Sequence, residues 1–227
     1  MKKTIKKIAQ KIPLIGNLAQ YIYAQYQKTT FSSSDYWNNR YINGGTSGVG
    51  SYNHLAEFKA DILNQFVVDK KIETVIEFGF GDGNQLMLAD YSNYIGYDIS
   101  SKAVEVCCRR FSGDAKKRFL LVSEWKNETA ELVLSLDVIY HLIESLVFEK
   151  YMDNLFMASS KYVVIYASDT DDNKKGQSIH VRHRKFTQWV ADNASNWKLI
   201  NHIPNKYPTE KYDDRGSFAD FYFYQKT

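Results

Sequence analysis

Three acidic residues each stand beside or at the end of a short apolar run. Glu77 lies in "TVIEFGFGDGNQ", Asp98 closes "NYIGYD" 21 residues further on, and Asp137 closes "AELVLSLD". Acids at the carboxyl ends of buried strands lie where ligands bind in an open α/β sheet. One placed a strand after a glycine-rich turn can accept hydrogen bonds from both hydroxyls of a ribose. Gly79, Gly81 and Gly83 allow positive φ and a close approach of ligand to backbone. Their spacing is G-x-G-x-G and residue 84 is Asn, so the dinucleotide fingerprint G-x-G-x-x-G is not met. His141 follows Asp137 by four residues. An imidazole there can titrate near neutral pH and take a proton from an acceptor, with Tyr140 beside it to orient that acceptor. A packed or capping histidine is the other reading.

Two further stretches carry chemistry. "HVRHRK" brings His180, Arg182, His183, Arg184 and Lys185 together. Arg offers paired hydrogen bonds to phosphate or carboxylate, so the cluster reads either as a subsite for an anionic acceptor or as a solvated helix start balancing "DTDD". "NGGTSGVGS" (43–51) holds four glycines. It is not a Walker loop, because G-K-[ST] is missing and no strand leads into it. It runs instead into a helix whose N-cap is Ser51 or Asn53. N–H groups at a helix start suit an anion.

These groups need a scaffold. "TVIEFG" (74–79), "NYIGYD" (93–98), "RFLLVS" (118–123), "AELVLSLD" (130–137) and "KYVVIYAS" (161–168) are short β-rich runs. Helical patterns such as "SKAVEVCCRRF" and "VFEKYMDNLFMASS" fit between most of them, as in βαβ units around a parallel sheet. "NWKLINHIPNK" (196–206) and "SFADFYFYQKT" (217–227) have no helix between them and read as an antiparallel hairpin. The expected fold is α/β: a Rossmann-like doubly wound sheet of five parallel strands plus a C-terminal hairpin, with helices on both faces. A helix is expected after the glycine turn. Another is expected over "HLAEFKADILNQFVVD", where Leu55, Phe58, Ile62 and Phe66 recur at helical spacing. The polar stretch before it, rich in turns and aromatics, reads as an anchored loop.

The rest of the composition excludes several classes. Net charge is +3 in 227 residues, too small by itself to imply nucleic acid. Cys107 and Cys108 are adjacent and are the only cysteines, so neither a disulfide framework nor a thiolate metal site is expected. They read as ordinary helix residues. No stretch has the length of a membrane span. The N-terminus has five Lys in eleven residues, with Ile5, Ile8, Ile12, Ile15 and Leu18 at helical steps broken by Pro13. It lacks the apolar core and cleavage site of a signal peptide. It reads either as a surface helix on an anionic membrane or as a basic helix covering a core.

Taken in order, "EFGFGDG", "YIGYDIS" and "LVLSLDVIYHL" resemble the first, second-strand and fourth-strand motifs of the class I S-adenosylmethionine-dependent methyltransferases, over roughly residues 53–225. The resemblance implies S-adenosylmethionine as cofactor. Glu77 is then near the methionine amino group, and Gly79, Gly81, Asp82 and Gly83 form the turn under the methionine and sugar. Asp98 takes the ribose and Ile99 packs on adenine. Ser123 and Glu124 stand at the adenine edge, and Asp137 beside the methionine end or the acceptor. The segment before the first helix of the domain resembles the lid that folds over the cofactor in many such enzymes. Ser51 and Tyr52 would then meet the methionine carboxylate, while Tyr36, Trp37, Arg40 and Tyr41 close over the site. A plain glycine-rich connector is the alternative.

The pattern from "YWNNRYINGGTSGVGSY" through "HVRHRKFTQW" to "IPNKYP" is similar to a bacterial subgroup associated with surface-polysaccharide or glycan gene clusters. This implies O-methylation of a sugar hydroxyl or phosphate-type group on a glycan or small anionic acceptor, held by His180, Arg182, His183, Arg184 and Arg40, with His141 as base. The expected organisation is a basic helix (1–30), a lid (31–52) and a methyltransferase domain (53–227). The expected location is the cytoplasm, in peripheral contact with an anionic membrane, with neither metal nor nucleic acid as partner. A non-enzymatic methyltransferase-like subunit and a nicotinamide-dependent reductase are the rival readings. The acceptor and the oligomeric state are not legible.

Overall fold

The computed structural model describes residues 31–174 and 177–227. The chain divides into two compact units, Met1–Ser32 and Ser33–Thr227, and the elements described here belong to the second. The basic helix expected over 1–30 lies outside the described residues.

The second unit is built on one sheet: β1 (Thr74–Phe78), β2 (Asn93–Asp98), β3 (Lys117–Leu121), β4 (Ala130–Leu136), β5 (Ser159–Ala167), β6 (Trp197–Ile203) and β7 (Asp220–Lys226). Their spatial order is β3-β2-β1-β4-β5-β7-β6. The first five are parallel, β7 runs antiparallel to β5, and β6 antiparallel to β7 at the edge. The expected five-plus-hairpin sheet is therefore present. The strand order reverses between β1 and β4, which leaves a crevice at their carboxyl ends. Ile76, Leu132, Val133, Leu134, Val163, Val164 and Ile165 are inaccessible to solvent. Continuous β-branched and aliphatic runs of this kind pack on both faces of a parallel sheet. Truncating one of them, such as Leu134→Ala, costs about 2–5 kcal/mol.

The helices are α1 (Ser33–Ile42), α2 (Asn53–Lys70), α3 (Ser101–Arg110), α4 (Ser145–Met157), α5 (Phe186–Asn193) and the one-turn α6 (Thr209–Tyr212). Helix α3 starts at a Ser100 cap whose hydroxyl accepts the Ala103 N–H. On α2 the buried face is Leu55, Ala56, Lys59, Ala60, Leu63 and Val67. Phe58 and Phe66 flank it and reach Phe221 and Phe223 of the terminal hairpin.

Two expectations are corrected. The glycine turn leads to a single 3-10 turn, Gln85–Leu88, and not to a full helix. Only residues 79–92 connect β1 to β2, and the glycine turn consumes the first of them. The polar stretch before α2 is not all loop, since "SSDYWNNRYI" is α1. Its apolar face is weak, so tertiary contacts hold it: the Ser33 N–H and Oγ donate to the Glu144 carboxylate at 2.9 and 2.5 Å, and Trp37 and Tyr41 pack on the core.

Candidate functional site: a glycine turn and the cavity beside it

The turn after β1 holds Gly79, Gly81 and Gly83 at φ of +87°, +62° and +74°, a region that only glycine enters readily. Space excludes side chains as well. A Cβ on Gly79 would lie 2.5 Å from Val138 Cγ2, and one on Gly81 would overlap the Ser47 hydroxyl. Asp98 at the end of β2 fixes the turn: Oδ2 accepts the Gly81 N–H at 2.9 Å and Oδ1 the Ser100 N–H at 2.9 Å. It is buried, and burial pushes its pKa up to about 6 despite those bonds. Glu77 is also buried and accepts the Tyr94 hydroxyl at 2.7 Å. Burial raises its pKa to about 7.

The two glycine clusters touch. The Ser47 N–H and the Tyr52 hydroxyl both donate to Asp82 Oδ2, at 2.9 and 2.7 Å, while the Asp82 N–H donates to Ser47 Oγ at 2.9 Å. The Asn84 side chain donates to the Ser51 carbonyl. Burial pushes the Asp82 carboxyl up, but the bonds from Ser47, Tyr52 and Asn84 outweigh it and its pKa lies below the ordinary value. Asp82 and Tyr52, expected as cofactor contacts, thus spend these groups on joining segment 43–52 to the turn after β1.

Past β4, Asp137 stands at φ +59°. Its Oδ2 meets Lys59 Nζ at 2.6 Å, and its Oδ1 accepts the Tyr140 hydroxyl at 2.7 Å. Lys59, buried on α2, was missed in the sequence. Its signal was present: it occupies the same face as Leu55 and Leu63. Tyr140 is buried behind Asp137. His141 donates Nδ1–H to the His180 carbonyl at 2.8 Å. Its ring meets Trp37 edge-on at 4.7 Å and stacks with His180 at 5.4 Å. Burial pulls its pKa down to about 4.

These groups converge on a cavity of about 570 Å³. Glu77, Gly79, Gly81, Asp98, Ile99, Ser123, Ser51, Asp137 and His141 line it, as do the missed Lys59 and Gln85. Trp37 and Tyr41 of α1 close one side. Gly83, Asp82, Tyr52, Glu124 and Tyr140 do not line it. Glu124 turns back to accept the Leu121 N–H. Arg40 does not reach it either: its Nε donates to the Thr46 carbonyl, and the guanidinium lies over Trp37.

Most of the basic cluster lies apart from this cavity. Arg182, His183, Arg184 and Lys185 line a separate depression of about 340 Å³ with Phe148 and Trp189. Arg184 donates to the Leu142 and Ile143 carbonyls and lies over Phe148, and Arg182 donates to the Ile143 carbonyl. These guanidiniums brace the segment that carries His141. His180 stacks on Tyr36 at 4.6 Å. Among the described residues, no group of three or more His, Cys, Asp or Glu is placed to hold a metal ion, and no helix is long and apolar enough to cross a membrane.

No protein-family model and no curated protein matches the sequence. Solved structures do. One is magnesium protoporphyrin IX methyltransferase (ChlM) from Synechocystis PCC 6803 with bound SAM: 14% identity, 91% of this chain and 96% of that one, TM-score 0.59. Another is the N-methyltransferase NodS from Bradyrhizobium japonicum WM9 in complex with S-adenosyl-L-homocysteine: 14% identity, 76% and 87% coverage, TM-score 0.59. A third is the methyltransferase domain of bacterial CtHen1-C: 15% identity, 74% and 96% coverage, TM-score 0.59. The chain has the fold of the class I S-adenosylmethionine-dependent methyltransferases.

The residues present fit that cofactor. Asp98 keeps carboxylate lone-pair capacity beyond the Gly81, Ser100 and Ile99 amides that it accepts. Gly79 and Gly81 line the cavity with positive-φ backbone. Gln85 Oε1 is a buried acceptor with no protein partner, on a residue lining the same cavity.

Proposed function

We propose that this chain is an S-adenosylmethionine-dependent methyltransferase acting on a hydroxyl, on a sugar or phosphate-type group of a glycan or other small anionic acceptor. The observation that carries the reading is the convergence of the Gly79–Gly81 cradle, Asp98 and a neutral His141 on one cavity. Asp98 offers lone pairs to the ribose, Ile99 and Val122 a flank for adenine, and Ser123 its polar edge. Bound there, the cofactor supplies an electrophilic methyl carbon on a sulfonium.

The chain's own work is alignment and proton removal. Since the His180 carbonyl holds Nδ1–H, Nε2 of His141 carries the lone pair. An imidazole this weakly basic still suffices, because an oxygen that has gained a methyl group is far more acidic than its parent alcohol. Trp37, beside His141, gives the acceptor a ring face. An anionic acceptor is supported by Lys150 on the cavity wall and by the depression around Arg182 and Lys185. Asp171 in that depression and the carbonyls that hold the guanidiniums weaken its pull.

The test is calorimetric titration with S-adenosylmethionine and, separately, NADH, followed by a screen of nucleotide sugars and glycan extracts for transfer of labelled methyl. Micromolar binding of the first alone with a labelled product supports the reading. Binding without any product favours a non-enzymatic subunit, and NADH binding favours a reductase. The basic N-terminal sequence supports work at an anionic membrane. Deleting residues 1–28 then abolishes co-sedimentation with anionic vesicles, and a full chain that never co-sediments ends that part of the reading.

A further inference from the structure

Two polar groups in the cavity are left over from the reading above. Lys59 is 1% exposed and lines the cavity from α2. Its ammonium has three donors. One reaches Asp137 Oδ2 at 2.6 Å, and the Tyr166 ring lies 5.2 Å away. Gln85 is 8% exposed. Its Nε2 donates to the Ala56 carbonyl at 3.0 Å, which leaves Oε1 as a buried acceptor without a partner. An unpaired buried acceptor is destabilising, so a site that keeps one calls for a partner such as a ligand.

The two groups are neighbours. Ala56 precedes Lys59 by three residues on the buried face of α2, and residues three apart on a helix lie on one face about 5–6 Å from each other. Lys59 and Gln85 thus stand at neighbouring places on the cavity wall, one carrying an ammonium donor and the other a carbonyl acceptor. The Glu77 carboxylate lines the same cavity.

We infer that Lys59 and Gln85 together form the receptor for the amino-acid head of the cofactor, with Lys59 taking the α-carboxylate and Gln85 Oε1 the α-ammonium. This rests on the methyltransferase reading. Asp137 is then a positioning residue: it holds the Lys59 ammonium in place from the far side, and Tyr140 holds Asp137. Lys59 is preferred over Ser51 and Tyr52, whose N–H groups donate to the Gly48 and Val49 carbonyls and whose Tyr52 hydroxyl donates to Asp82.

The experiment compares two ligands that differ in the head group. S-adenosylhomocysteine carries the amino acid; 5′-methylthioadenosine keeps the adenosine and lacks it. Calorimetry on the full chain measures both against wild type, Lys59→Met and Gln85→Leu. The expected result is a loss of roughly 10- to 100-fold in S-adenosylhomocysteine affinity for Lys59→Met and several-fold for Gln85→Leu, with 5′-methylthioadenosine unchanged. Equal losses for both ligands would make the pair structural and overturn the inference, as would no loss for either. If Lys59→Met fails to fold, Gln85→Leu decides by the same comparison. Failure of wild type to bind either ligand counts against the methyltransferase reading itself, so the two failures are distinguishable.

Discussion

Nδ1 of His141 lies 2.8 Å from the carbonyl oxygen of His180. A carbonyl can only accept, so Nδ1 keeps the proton and the lone pair sits on Nε2. The rings of Trp37 and His180 fix the orientation of the imidazole, and the Arg184 and Arg182 guanidiniums fix the segment after it by its carbonyls. A histidine held neutral in one tautomer is prepared to receive a proton.

Replacing His141 by Ala should slow methyl transfer about 10²- to 10⁴-fold while leaving cofactor affinity near wild type. In wild type the rate limb assigned to His141 should fall near pH 4, where burial has moved its pKa, and not at the 6.5 of a free imidazole. Single-turnover rates across pH check both points. A variant of normal rate returns His141 to a packing role.

The same displacement affects stability. With its pKa at about 4 folded and 6.5 unfolded, His141 binds fewer protons in the folded state between those values. Stability is therefore lost as pH falls from 6.5 through 4, by roughly 3 kcal/mol in full. Glu77 acts with the opposite sign. Its raised folded value of about 7 makes the folded state the better proton binder between about 4.5 and 7, so its contribution grows as pH falls. Asp98, raised to about 6, acts in the same direction as Glu77, so His141→Gln should gain more stability than wild type on acidification from pH 7 to 5. Urea unfolding at pH 7, 6 and 5 measures this; parallel pH trends for the two proteins would refute it.

The sheet was legible because parallel strands buried on both faces write themselves as short apolar runs, and the motif acids stand at the ends of those runs. The glycine turn and Asp98 were readable as parts of one site for this reason, though the Gly81–Asp98 hydrogen bond was not. Lys59 was not, because its role depends on the rotation of α2 against the sheet, which places a lysine among Leu55, Ala60 and Leu63. Helix α1 hid for a related reason. "SSDYWNNRYI" has little helical periodicity, and its stability comes from Glu144, more than a hundred residues away in sequence. The bonds of the basic cluster were not legible, because charge in a sequence does not reveal what a guanidinium already holds. Arg184 is occupied by two carbonyls.

Cofactor affinity should rise with pH. Asp98 and Glu77 line the cavity with pKa values moved by burial to about 6 and 7. Ribose hydroxyls and an ammonium both prefer the ionised carboxylates. Binding below pH 7 must then expel protons, so affinity climbs from pH 5 to about 7.5 and levels off. Calorimetry in two buffers of different ionisation enthalpy detects the released protons directly. Asp98→Ala should weaken binding by about 1–3 kcal/mol and also lower stability, because the Gly81 and Ser100 amides lose their acceptor. Unchanged affinity removes Asp98 from the site.

Asp82→Ala tests the link between the glycine clusters. Asp82 does not line the cavity, yet its carboxylate accepts from Ser47 and Tyr52, and its own N–H donates to Ser47. Removing the carboxylate strands two donors at the lid while the backbone bond to Ser47 remains. Hydrogen bonds to a charged acceptor contribute about 1.5–3 kcal/mol each, enough to shift the lid toward open states. The variant should keep its sheet and its global unfolding transition nearly intact. It should be cut faster by protease within residues 43–51 and bind S-adenosylhomocysteine about 5- to 50-fold more weakly. Protection should return when the ligand saturates the variant, since closing the lid over a bound molecule replaces the lost tether. Cleavage at the wild-type rate, with affinity unchanged, would mean that segment 43–51 holds its place without Asp82 and is a fixed wall of the cavity.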